Sequence, residues 1–328
     1  MRFLALLFLW RLLPTSAHSM LMGGPQHLTA SPLENANLTL GTLLSPDTVL
    51  YGTIQGYLPR PVRMLKWPYY VDGQSPGSIV PLLFGEALQT QDPRPTFGDD
   101  PMDLAWISPD RLIVLHRGSR DLALFHAPSL HLLDMIPTGS DAQRLLLVES
   151  LILVACLSGR SIYQYEYHDD DHLEAGHIIS THAPPIDMTA DLDGRRVYVV
   201  YHGSYDVGVF EVQSLTAFLD ATEHLLHPPL YEFPLCALWH PTLSVLVITT
   251  MDGSIQVRAI VPLSYESRVV VHSPICQDPR ILLPGSHATI GEIVVACPGD
   301  NVVCLYNVTG RFQSCHRPSL PFVTVDIV

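Results

Sequence analysis

The most conspicuous polar cluster in the chain is His168-Asp169-Asp170-Asp171-His172. Imidazole suits zinc or copper and carboxylate suits calcium or magnesium, so His168, Asp170 and His172 are a candidate metal set. The same five residues also have the make-up of an ordinary exposed acidic hairpin loop. A second acidic run, Gly98-Asp99-Asp100-Pro101-Met102-Asp103, leads into an apolar stretch. Its carboxylates, Asp99, Asp100 and Asp103, could hold a cation or a basic ligand, or could simply bond their own backbone in a turn. His116 and His202 each stand just before a Gly/Ser turn and form a candidate pair. Familiar catalytic signatures are missing: there is no P-loop, no Gly-x-Gly-x-x-Gly, no Gly-x-Ser-x-Gly and no His-Glu-x-x-His.

These residues depend on the elements that carry them, and the elements repeat. In the clearest copy, Met102 to Ile107 reads as a strand, Ser108-Pro109-Asp110 as a turn and Leu112 to Leu115 as a second strand. Gly118-Ser119-Arg120-Asp121 turns the chain back, Leu122 to Phe125 is a third strand and His131 to Ile136 a fourth. Copies follow from Asp141, Pro185, Pro234 and Pro279, and a lone first strand follows Pro321. From Pro101 onward these anchors are spaced by 40, 44, 49, 45 and 42 residues. Short apolar runs bounded by Gly, Pro, Asp and Ser indicate an all-β chain, and four strands per period of about 45 suit a propeller blade. Leu38 to Leu44, Ser45-Pro46-Asp47 and Val49 to Ile54 read as the opening of an earlier unit, which Val62 to Trp67 and Ser78 to Phe84 would complete.

The apolar strand, the Asp191-Leu192-Asp193-Gly194 turn, the Val197 to Tyr201 strand, the Gly203-Ser204 turn and the Val207 to Val212 strand together resemble the YVTN and WD-repeat-like propeller superfamily. The Trp-Asp dipeptide of true WD repeats is absent. The likeness covers residues 36–328 and implies a β-propeller of six or seven four-stranded blades around a channel. On that architecture Asp99, Asp100, Asp103, His116 and His202 would be ligand residues at one channel mouth. The final strand either closes the ring against the first unit or begins a blade that is missing.

The ends and the composition set the compartment and the classes of partner. Met1-Arg2, the apolar run Phe3 to Leu13 and Thr15-Ser16-Ala17 form a secretory signal pattern, with residues 1–17 removed and 18–35 left as a linker. No later segment has the roughly 18 apolar residues of a membrane span. Removal of Arg2 and Arg11 takes the net charge from −14 to −16. That charge, with a single lysine and no basic cluster, excludes nucleic acid as a partner. Hydrophobic residues at 47% give ample material for a packed core. Asn37 and Asn307 begin glycosylation sequons.

Six cysteines permit disulfides, and Cys297 and Cys304, flanking the turn Pro298 to Asn301, are the expected pair if their hairpin centres between Asp300 and Asn301. Cys156, Cys236 and Cys297 lie in apolar runs where a buried thiol is the alternative.

The leading expectation is a secreted, extracellular binding or interaction module for a protein or small-molecule ligand. The alternatives are a propeller enzyme, lactonase-like or resembling a quinoprotein amine dehydrogenase, and the ectodomain fragment of a larger surface protein. Fold alone does not choose among them.

Overall fold

The computed structural model describes residues 19–23, 28–32, 62–66, 69–72, 76–84, 88–90, 92–213, 218–226, 230, 232–240, 243–259, 267–272, 279, 281–284, 292–297, 300, 302–307, 312–316 and 324–327. Among them there is no helix. The first strands are β1 (Ser19–Gly23) and β2 (Leu28–Pro32). A sheet follows of β3 (Val62–Lys66), β4 (Tyr69–Asp72), β5 (Ser78–Phe84) and β6 (Leu88–Thr90), with β7 (Arg94–Pro95) also on β5. The next is β8 (Pro101–Ser108), β9 (Arg111–His116), β10 (Asp121–His126) and β11 (His131–Pro137). Then come β12 (Ala142–Val148), β13 (Leu151–Cys156), β14 (Ser161–His168) and β15 (His172–Ser180). β16 (Pro185–Ala190), β17 (Arg196–Tyr201) and β18 (Val207–Gln213) carry β19 (Phe218–Leu219) and β20 (His224–Leu225) on the outer side. β21 (Pro234–His240), β22 (Val245–Thr250), β23 (Ser254–Ala259) and β24 (Ser267–His272) form another sheet. β25 (Ile281–Pro284), β26 (Glu292–Cys297), β27 (Val302–Asn307) and β28 (Phe312–His316) form the next, and β29 (Thr324–Ile327) pairs back onto β1.

Each sheet is an antiparallel meander whose first strand lies innermost, except that β29 takes the inner place in the sheet it forms with β1 and β2. The inner strands touch in the cyclic order β3, β8, β12, β16, β21, β25, β29 and β3 again. The chain is therefore a β-propeller, with its described strands in seven sheets around one axis.

The side-chain period of two explains why the middle strands are apolar throughout. In β13 all six residues are buried. Leu151, Leu153 and Ala155 face the β16–β18 sheet, and Ile152, Val154 and Cys156 face the β8–β11 sheet. β9 divides likewise: Leu112 and Val114 pack toward β4 and β5, Ile113 and Leu115 toward β13. Among the described residues these core clusters thus lie between two sheets, and a single sheet has no apolar face it can leave in water. At about 1.5–3 kcal/mol per large side chain, these interfaces are the main source of cohesion.

A bulge recurs where the inner strands begin. The register shifts by a residue after Val62, Pro101, Ala142, Pro185 and Pro234. Such a bulge re-aims the next side chain. The residues re-aimed include Asp103, Arg144, Asp187 and Cys236.

The repeats read from Pro101 to the β28 region match the observed strands. The earlier region differs. The 18–35 segment read as a linker contains β1 and β2, and β1 is the partner of β29, with Met20 opposite Ile327 and Gly23 opposite Thr324. The closing strand therefore does join the two ends of the sequence. Val62–Lys66 is an innermost strand rather than the third of its unit, because Tyr69–Asp72 returns directly on it and Ser78–Phe84 follows next. The expected strands at 38–44 and 49–54, the signal segment 1–17 and Asn37 lie outside the described residues.

Candidate functional site

Loops that enter the inner strands and turns that join second to third strands lie on the same face of the ring. Between β15 and β16, Thr181 fastens the loop by donating twice: its N–H to Arg160 O at 2.8 Å and its hydroxyl to Ala183 O at 2.7 Å. His182 stands out from that loop. The turn from β17 to β18 passes through Gly203 at φ +73°, a left-handed conformation that suits glycine. Ser204 closes this turn, donating to Asp206 Oδ2 at 2.7 Å and accepting from Asp206 N at 3.2 Å. Glu223 arrives from the segment before β20, braced by Thr222 N on Asp220 Oδ1 at 2.8 Å.

These elements bring five side chains together. His182 Nδ1 is 2.6 Å from Glu223 Oε1, and the His182 backbone N–H donates to Glu223 Oε2 at 3.0 Å. Tyr201 Oη donates to the same Glu223 Oε1, and its ring meets the imidazole edge-on with centroids 4.4 Å apart. Burial and then the Glu223 carboxylate push the Tyr201 phenol well above its ordinary range, so it stays a donor. A carboxylate accepts, so Nδ1 serves as the donor toward Glu223 and Nε2 is the nitrogen that faces Asp206 and Ser204. Nε2 lies 3.3 Å from Asp206 Oδ2 and 3.5 Å from Ser204 Oγ. The His182 side chain is 32% exposed and Glu223 only 14%. The orienting carboxylate is thus the more enclosed of the pair and the imidazole the more open. Gly208 makes the arrangement possible: a Cβ there would lie 2.0 Å from Tyr201 Oη and 2.9 Å from Glu223 Oε1.

The inner strands hold a second polar group with a different task. Asp103 accepts from Leu104 N at 2.9 Å and from Leu145 N, on the next sheet, at 3.0 Å. Asp187 repeats this with Met188 N at 3.0 Å and Ala237 N at 2.9 Å. Arg144 lies between them, its Nε 3.4 Å from Asp187 Oδ1. Burial pulls the Arg144 pKa down, but Asp187 and Asp103 more than offset it and the guanidinium is held charged. Burial raises the Asp187 carboxyl above its ordinary value, opposed by Arg144 and the two backbone donors. These carboxylates stitch one inner strand to the next.

The residues singled out from sequence are not brought into one site. Asp103 is such a stitch and is 8% exposed, so its lone pairs are taken by backbone donors rather than offered to a ligand. Asp100 binds Arg117 Nε at 2.7 Å, and the Asp99 carbonyl accepts from Gly118 N at 3.0 Å. His116 is fully buried on Asp121 Oδ1 at 2.7 Å. His202 is exposed and is not its counterpart: Pro101 pairs with His116, whereas Pro185 pairs with Tyr201. One residue of slip places a side chain on the other face.

His168 and His172 pair across their hairpin with rings 6.3 Å apart, but His168 turns to Glu174 at 3.1 Å and His172 to Asp134 at 3.0 Å. Asp170 is exposed, and Asp171 is taken by Arg111. No set of three or more metal-ligating side chains converges among the described residues. Asn307 is the last residue of β27.

Cys297 stands opposite Val302 and Cys304 opposite Val295, because the 298–301 turn closes directly onto Cys297–Val302. The two cysteines are therefore diagonal rather than directly opposed as expected, and both are disulfide-bonded. Cys304 instead stands opposite Cys315 of β28. Cys156 and Cys236 are buried and not disulfide-bonded, Cys236 Sγ lying 3.9 Å from Pro279 O, and burial pushes the Cys156 thiol up to about 11.

No family model and no curated protein matches the chain. Solved structures do. A candidate 6-phosphogluconolactonase from Bacteroides uniformis is similar over 95% of this chain and 99% of its own, with 17% identity and a TM-score of 0.73. The periplasmic gluconolactonase of Pseudomonas aeruginosa is similar over 95% and 99%, with 14% identity and a TM-score of 0.70. The β-propeller domain of Swd1 from Myceliophteria thermophila is similar over 74% and 80%, with 13% identity and a TM-score of 0.55. At these identities the likeness is one of fold.

Proposed function

We propose that the chain is an exported propeller hydrolase acting on a lactone or comparable ester, with His182 as its general acid–base. The observation that carries this reading is the His182–Glu223 pair at 2.6 Å, on an imidazole that is partly open to solvent. Glu223 fixes the tautomer and ring orientation, so Nε2 can take a proton from an attacking oxygen and return it to the leaving one. Asp206 Oδ2 at 3.3 Å stabilises the imidazolium formed between those steps. A propeller of similar shape is a gluconolactonase, which makes sugar lactones the first compounds to try. The test is hydrolysis of glucono-δ-lactone, dihydrocoumarin and p-nitrophenyl acetate by the mature protein and by His182→Gln. A loss of about 10²–10⁴-fold in kcat/KM is expected for the variant. Hydrolysis unaffected by it, or no hydrolysis by the wild type, overturns the reading.

One observation favours a binding role instead. A groove of about 680 Å³ is lined by Arg94, Phe97, His126, Leu130 and His131, and Phe97 is 55% exposed. It suits a ligand that joins an apolar ring to a carboxylate. A binding role predicts a partner lost on Phe97→Ala and kept on His182→Gln.

A further inference from the structure

We infer that Ser204 is a covalent nucleophile, activated by His182 and oriented through Glu223; this rests on the hydrolase reading above. Nucleophilic hydroxyls are recognised by three contacts in series, whatever their order along the chain: hydroxyl to base, base to orienting acid, and open space beside the hydroxyl. Here Ser204 Oγ is 3.5 Å from His182 Nε2, and His182 Nδ1 is 2.6 Å from Glu223 Oε1. The third contact is open space. Ser204 is half-exposed, on a turn whose Gly203 and Tyr205 are both exposed.

Ser204 is also fixed in place. Its hydroxyl oxygen accepts from Asp206 N, and the hydroxyl proton rests on Asp206 Oδ2. A hydroxyl proton turns freely about its C–O bond, so moving it from Oδ2 to Nε2 requires no displacement of the backbone. Asp206 thus parks the proton at rest and faces the imidazolium once His182 has taken it.

The step balances within these residues, substrate and water. Ser204 Oγ bonds to the acyl carbon while its proton passes to His182 Nε2. The tetrahedral intermediate then breaks the ring C–O bond, and the leaving alkoxide takes the proton from Nε2. The product of this half is an ester of Ser204 carrying the opened chain. Water attacks that ester, gives its proton to Nε2 and releases the carboxylic acid, and Ser204 Oγ recovers a proton.

The test treats the mature protein with a fluorophosphonate probe and locates the adduct by peptide mass spectrometry. The expected result is labelling at Ser204, lost in His182→Gln, and a fall of at least about 10³-fold in kcat for Ser204→Ala at unchanged melting temperature. If Ser204→Ala does not fold, Ser204→Cys serves, with the mutant thiol expected to react with iodoacetamide at least tenfold faster than the same thiol in a Ser204→Cys, His182→Gln protein. Absence of the adduct, or a Ser204→Ala protein with wild-type kcat, overturns the covalent step. If His182→Gln is then inactive, the hydrolase reading stands with water attacking directly; if it is fully active, that reading fails as well.

Discussion

Replacing Asp187 by alanine tests whether the inner carboxylates hold the ring together. The substitution removes acceptors from Met188 N and from Ala237 N on the neighbouring sheet, and it takes the counter-charge from Arg144. Ala237 is 8% exposed, so its N–H cannot turn to bulk water. Hydrogen bonds to a charged acceptor are worth about 1.5–3 kcal/mol each, and an orphaned buried donor costs about 1–3 kcal/mol. Breaking a largely enclosed ion pair by deleting one partner costs about 3–5 kcal/mol in all, and these contributions overlap, so about 3–5 kcal/mol is the expected loss. For a chain of 328 residues that lowers the melting temperature by about 4–7 °C. Asp187→Asn keeps one acceptor oxygen and should lose about half as much. Thermal unfolding followed by far-UV circular dichroism reads both variants. A fall of under about 1 kcal/mol for Asp187→Ala would show that the two N–H groups find other partners and that the stitch is incidental.

Further outcomes follow from the same contacts. Gly208→Ala places a methyl group against Tyr201 Oη and Glu223 and should cost about 1–3 kcal/mol; a variant as stable and active as wild type would contradict the packing. Asp171 is held by Arg111 Nη2 at 2.9 Å, and that guanidinium keeps its carboxyl below the ordinary 3.8. Its folded pKa is depressed, so its contribution is present above about pH 4 and lost as pH falls through the folded value. Asp171→Asn should therefore be less stable than wild type at pH 6 and converge with it near pH 2, as urea midpoints will show; a constant gap would refute the linkage. Non-reducing peptide mapping should find Cys304 joined to Cys315, while Cys156 resists alkylation until the protein unfolds. A Cys297–Cys304 linked peptide would overturn the register.

What the sequence made legible is what local chemistry determines. Leu112–Leu115, Leu151–Ala155 and Val197–Tyr201 announce themselves because strands buried on both faces must be apolar at every position. Turn residues such as Gly203-Ser204 mark where those strands end. Single-residue details are less accessible. The offset between His116 and His202 depends on where a strand's last pair falls, and the Cys297 partner depends on how tightly residues 298–301 close. Both are set by backbone geometry that residue types barely constrain. The candidate site was harder still to foresee. His182 and Glu223 are 41 residues apart, and Glu223 lies in a stretch where the repeat pattern lapses. The face shared by entry loops and second turns could have linked His182 to Ser204, but nothing in the repeat points to Glu223.

The pairing of Met20 with Ile327 has a kinetic consequence. This contact spans nearly the whole sequence, and contacts of such separation form late and slowly. Until β29 has been made the ring stays open, with β1 and β25 lacking their neighbour. The open ring exposes sheet edges to other copies until β29 docks. Fluorophores placed beside residues 20 and 327 would therefore report closure itself, as energy transfer appearing after the sheets have already formed.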